Sequence, residues 1–62
     1  MSAEESLQRA EQLMDRLEQT RARLEATSDP DTAIEVLTEL AEIARDVEAA
    51  LSQAKRQADA DA

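Results

Sequence analysis

Apolar and polar residues alternate along this chain with the beat of a helix, not of a strand. In the first half Ala3, Leu7, Ala10, Met14, Leu17, Arg21 and Leu24 follow one another at gaps of four and three. In the second half Ala33, Leu37, Leu40, Ala44, Val47, Leu51, Ala54 and Ala58 do the same. Such spacing puts residues on one stripe of an α-helix, the a and d positions of a seven-residue repeat. The polar residues keep the same time. Arg9, Arg16 and Arg23 recur at sevens, and so do Glu11, Glu18 and Glu25. Ala, Leu, Glu, Gln and Arg, all good helix formers, dominate as far as Ala26.

The phrase Thr-Ser-Asp-Pro-Asp-Thr at 27–32 interrupts the rhythm. Proline inside a helix loses a hydrogen bond and clashes with the preceding turn, whereas at the first helical position it costs nothing. Pro30 therefore opens a second helix, with Asp29 as its N-cap and Asp31 and Glu35 favouring the positive end of the dipole. Ser2 is the matching cap of the first helix, followed by Glu4 and Glu5. With no glycine available, Thr27 or Ser28 has to end the first helix without a left-handed residue. The expected boundaries are a first helix at about 3–27, a turn at 28–29, a second helix at about 30–58 and a frayed polar tail at 59–62. Lys55 and Arg56 suit the negative end of the second helix. Glu5–Arg9 and Arg21–Glu25 are pairs four residues apart.

Two helices and a short turn predict an all-α fold, an antiparallel two-helix hairpin of coiled-coil type occupying residues 1–62 as one domain. Placing Leu24 opposite Leu37 brings Arg21 to Leu40, Leu17 to Ala44, Met14 to Val47, Ala10 to Leu51 and Leu7 to Ala54. Leu37, Leu40, Ala44 and Val47 are then expected to cover the first helix. Ile34, Val36, Ala41 and Ile43 are left on the flanks of the second, and Leu13 widens the stripe of the first. A stripe that wide suits a helix with two neighbours, so the hairpin is expected to dock on a partner or to pair into a four-helix bundle. The predicted protein interface is Ile34, Val36, Leu37, Leu40, Ala41, Ile43 and Val47, joined by Leu13 and Arg21. Arg21 breaks the apolar seam; it either snorkels, its stem packing and its head reaching water or Glu18, or pairs across an interface to set register. Met14 is read as core filler. The arginine row is read as a solvated face, or as the answer to an acidic partner.

Composition narrows the function. Sixty-two residues supply one small core, which seldom contributes more than roughly 3–5 kcal/mol. The chain has no cysteine and no histidine, so disulfides, thiolate sites and the commonest transition-metal ligand are excluded. Reinforcement has to come from another chain. Net charge is −8, with seven acids against four bases up to Asp29 and eight against three beyond it. That balance argues against direct contact with nucleic acid or an anionic membrane. No apolar run has the length of a transmembrane span or a signal peptide, and the expected compartment is the cytoplasm. Six arginines against one lysine, with thirteen alanines, point to a bacterial source.

Nucleophilic catalysis needs a positioned base, and the Ser and Thr hydroxyls here have none in sight. Phosphate cradles need glycine, which is absent. The carboxylates Glu35, Glu39, Glu42 and Asp46 are read as a solvated helix face, since acid work needs a shaped pocket. No cofactor, metal or small-molecule ligand is expected, and no enzymatic activity.

At Arg23 to Gln57 the chain resembles the small subunit of bacterial exodeoxyribonuclease VII. The resemblance rests on Leu24-Glu25, a short turn, Ala33-Ile34-Glu35-Val36, Ala44-Arg45 and Leu51-Ser52-Gln53-Ala54, with Leu17 upstream. It covers about two-thirds of the chain. It departs from the family in the turn, where Thr27-Ser28-Asp29 stands in place of a glycine. It departs again at Leu37 and Leu40, where the family often has an aromatic residue and a glycine. The resemblance implies a non-catalytic hairpin that binds a large, coiled-coil-bearing nuclease subunit. The residues taken alone leave open a self-assembling structural homo-oligomer, a dimer first of all.

Overall fold

The computed structural model describes residues 2–61. It contains two helices, α1 (Ala3–Ala26) and α2 (Pro30–Asp61), lying side by side and antiparallel in a rod of about 49 × 14 × 12 Å. Ser2 caps α1 by the reciprocal device that its sequence allows. Its Oγ accepts from the Glu5 amide at 3.2 Å, while the Glu5 carboxylate accepts from the Ser2 amide at 3.3 Å. Glu5 is thereby committed to the cap, not to Arg9. At the other end Thr27 leaves the helix in extended geometry (φ −88°, ψ 126°), its amide donating to Leu24 O and its hydroxyl to Arg23 O. No described residue has positive φ, which is how the helix ends without glycine.

Asp29 caps α2 as its position beside Pro30 requires. One carboxylate oxygen accepts from both the amide and the hydroxyl of Thr32, at 3.1 and 2.7 Å, and the Asp29 carbonyl accepts from the Ala33 amide at 2.9 Å. α2 runs to Asp61, past the expected end at 58. Residues 59–61, expected to fray, are helical, because nothing between Pro30 and the end of the chain breaks a helix. Lys55 and Arg56 consequently lie more than a turn inside the helix and do not answer its C-terminal carbonyls. Ala62, also placed in that tail, lies outside the described residues.

The phase of the seam differs from the sequence reading. The residues that turn inward are Ala3, Ser6, Ala10, Leu13, Leu17, Thr20, Leu24 and Thr27 on α1, and Ala33, Val36, Leu40, Ile43, Val47, Ala50, Ala54 and Gln57 on α2. Every second member of the predicted stripe is replaced by the residue before it. Leu7 gives way to Ser6, Met14 to Leu13, Arg21 to Thr20, Leu37 to Val36, Ala44 to Ile43 and Leu51 to Ala50. Both phases contain Ala10, Leu17, Leu24, Leu40, Val47 and Ala54. What separates them is the cost of the polar positions. The predicted phase puts the Arg21 guanidinium in the contact, and a charge there has no partner inside. The observed phase puts Thr20 there. Its hydroxyl is satisfied within its own turn by donating to Arg16 O at 2.8 Å. Ser6, equally buried, donates to Gln57 Oε1 at 2.8 Å across the helices. No buried side-chain N or O among the described residues lacks a partner.

The core is narrow. Ala10, Leu13 and Ala50 pack together with Val47 against them, and Val36 and Ile43 are the largest fully buried side chains. Toward the far end the buried positions are the small residues Ser6 and Ala54. The Ser6–Gln57 hydrogen bond lies within about a turn of the predicted Leu7–Ala54 pairing, and the main departure from the expected seam is a rotation of both helices about their axes.

A candidate protein-binding face

Rotating both helices by about one residue decides what each flank of the hairpin carries. On one flank the arginine row meets acids. Arg16 and Arg23 of α1 both bond the Glu39 carboxylate of α2. Hydrogen bonds and charge from Arg23, and then from Arg16, hold the Glu39 carboxyl below its ordinary value. Arg9 and Asp46 line a surface groove of about 220 Å³ further along the same flank, with Ser6, Ala49, Ala50 and Gln53. Two of the three arginines in the row read as a solvated face thus pair within the hairpin, and the acid they answer is Glu39 of α2.

The opposite flank is apolar. Because the arginine side is occupied as described, the residues following the seam positions face the other way on both helices. These are Leu7, Met14 and Arg21 on α1 and Leu37, Ala44, Leu51 and Ala58 on α2. Ile34 and Ala41 lie next to the latter, at helical spacing. All are exposed. Ile34 is 62% exposed, Met14 54% and Leu37 52%. Glu48 and Lys55 complete the α2 stripe, and Glu4, Glu11, Glu18 and Glu25 border the α1 side.

The predicted interface set divides accordingly. Ile34, Leu37 and Ala41 are on the open face. Val36 and Ile43, each 1% exposed, and Leu13, at 6%, belong to the hairpin's own core, which corrects their assignment to an outer flank. Leu40 and Val47 are partly buried seam residues. Arg21 is not in the seam. It lies on the surface of α1, donating to Glu18 at 2.7 and 2.9 Å and to Glu25 at 2.9 Å. Those two partners raise its pKa above the ordinary range, Glu18 first, and its hydrogen bonds hold Glu18 below its own. Its head reaches Glu18 as expected, but its stem does not pack in the seam. Met14, read as filler, is an outer residue. Leu7, Ala44 and Leu51, read as seam, join it.

A signal for this arrangement was present in the sequence. Only the observed phase lets Arg16 and Arg23 meet Glu39 across the helices, and only that phase keeps arginine out of the contact. No group of three or more acidic residues among those described is arranged to hold a metal ion. No described helix is long and apolar enough to cross a membrane. No family model, curated protein or solved structure matches the chain.

Proposed function

We propose that the chain is a non-catalytic, protein-binding hairpin whose working surface is the apolar flank formed by Ile34, Leu37, Ala41, Ala44 and Leu51 of α2 with Leu7 and Met14 of α1. The observation that carries this reading is the division of the rod into two unlike flanks. One is closed by ion pairs from Arg16 and Arg23 to Glu39. The other leaves five large apolar side chains about half exposed or more. Contiguous apolar surface of that kind on a small soluble domain marks an interaction site. Its helical spacing suits another helix laid along it.

The large subunit of an exodeoxyribonuclease VII-like complex is the named candidate, on the resemblance over residues 23–57. In such a complex the hairpin would act as a cytoplasmic accessory subunit. It would add an apolar helical surface to a coiled-coil partner and contribute no reacting group. The test is co-expression with the exodeoxyribonuclease VII large subunit of the source organism. Co-purification in a fixed ratio is expected, and its loss in Leu37→Glu/Leu51→Glu. A variant that co-purifies as well as the parent would overturn the assignment of this face, and no co-purification of the parent would overturn the nuclease assignment.

A further inference from the structure

We infer that in the isolated protein this face is covered by a second copy of the same chain, the two hairpins stacking about a two-fold axis parallel to the helices so that α1 lies on α2 of the partner. The inference rests on the reading of the face as a binding surface, and it names the occupant.

The first argument is area. The hairpin exposes 4627 Å². A compact monomer of its 6.8 kDa mass exposes about 3,950 Å². The excess, about 700 Å² per chain, is close to the roughly 800 Å² that each partner buries in a standard interface. It has a plain geometric origin, because a rod 49 Å long and two helices wide has too much flank for its volume. Two such rods laid face to face give a four-helix bundle. They remove that excess from the side where Leu7, Met14, Leu37 and Leu51 stand in water.

The second argument is charge, and it chooses the orientation. Two-fold stacking of flat hairpins can put α1 on α1 of the partner, with the turns at opposite ends. It can also put α1 on α2 of the partner, with the turns at the same end. The α1 border of the face is a row of acids, Glu4, Glu11, Glu18 and Glu25. Its one base, Arg21, is already committed to Glu18 and Glu25. The first arrangement sets that row against its own copy, and like charges so placed are costly. The corresponding border of α2 is not an acid row: Ile34 and Ala41 are followed at seven-residue spacing by Glu48 and Lys55, one acid and one base. Within one hairpin the Ser6–Gln57 hydrogen bond sets the start of α1 beside the last turns of α2, which puts Glu4 within about a turn of Lys55. In the second arrangement a two-fold axis along the rod keeps those levels, so no acid row meets its own copy and Glu4 comes near the partner's Lys55.

The chain has no cysteine, so single labels are simple to place. Ser28, exposed in the turn, is replaced by Cys and spin-labelled. Sedimentation equilibrium at tens of micromolar is expected to give twice the chain mass, and pulsed dipolar spectroscopy to give turn-to-turn distances below about 30 Å, a few interhelical spacings plus the labels. Lys55→Glu, at an exposed site, is expected to weaken dimerisation several-fold while keeping the helical circular dichroism. Adding Glu4→Lys is expected to restore it. A folded wild-type monomer overturns the inference, and so do turn-to-turn distances near the 49 Å rod length or a dimer indifferent to the charge reversals. A monomer that still co-purifies with the large subunit removes the second copy and leaves the binding reading standing. A monomer that binds nothing removes both.

Discussion

Ile34 and Ile43 are the same side chain on the same helix, and the fold treats them oppositely. Ile43 is enclosed between the helices, and Ile34 stands in solvent. Truncating a buried isoleucine to alanine costs about 2–5 kcal/mol, comparable to the whole margin expected of so small a core. Ile43→Ala is therefore expected to abolish the cooperative thermal transition, followed by circular dichroism at 222 nm. In chain diluted below its association range, Ile34→Ala is expected to stay within about 0.5 kcal/mol of the parent. Asp29 makes a second residue-scale prediction. The Thr32 hydroxyl first, and then its amide, hold the Asp29 carboxyl below its ordinary value of 3.8. A depressed carboxylate stabilises the fold above its unfolded pKa and loses that contribution as pH falls through the folded one. Asp29→Ala should melt several degrees below the parent at pH 7, and the gap should narrow in titrations carried below pH 3.8. A gap unchanged at low pH would mean that Asp29 acts without its charge.

At the scale of the element, each helix offered two heptad phases and the polar residues chose between them. Thr20 is buried where the alternative would have brought in Arg21, and its hydroxyl bonds only its own helix at Arg16 O. That carbonyl also faces the helical ladder, so replacing the hydroxyl by a methyl leaves nothing buried and unpaired. Thr20→Val is expected to raise Tm by a few degrees, as a differential scanning measurement would register. A lower Tm would show that the hydroxyl does more than satisfy itself. The Glu39 bridge to Arg16 and Arg23 ties the helices at the surface, where salt screens it. The Tm of the parent should therefore fall slightly between low and molar salt, relative to Glu39→Gln, whose Tm should respond less. Helix ends were legible residue by residue, since caps are local. Ser2 with Glu5, and Asp29 with Pro30, name their own positions. The end of α2 was not, because fraying was inferred from polarity alone, and an Ala/Asp sequence without a breaker continues as helix to Asp61.

For the whole molecule, a rod two helices wide has one closed flank and one open one. Association through the open flank, as proposed, would add a mass-action term to stability. The Tm of the parent is accordingly expected to rise with protein concentration across the micromolar range, and that of Leu37→Glu/Leu51→Glu to be concentration-independent. A parent Tm that ignores concentration would argue that the face stays open.

The sequence by itself determined the helical content, the break before Pro30 and the antiparallel hairpin, because turn chemistry and seven-residue spacing act over a few neighbours. It did not determine which residues look inward. Leu7 and Ser6, Leu37 and Val36, Leu51 and Ala50 are adjacent, and a gap pattern of fours and threes fits either member of each pair. Periodicity specifies a stripe only to within about one residue's rotation, 100° on the helix. Only the tertiary contact removes that freedom. Two helices must rotate together until neither presents a charge to the other, and here that places Thr20, Val36 and Ile43 inside and Arg16 and Arg23 beside Glu39. The apolar residues displaced by that rotation are the ones that form the open face.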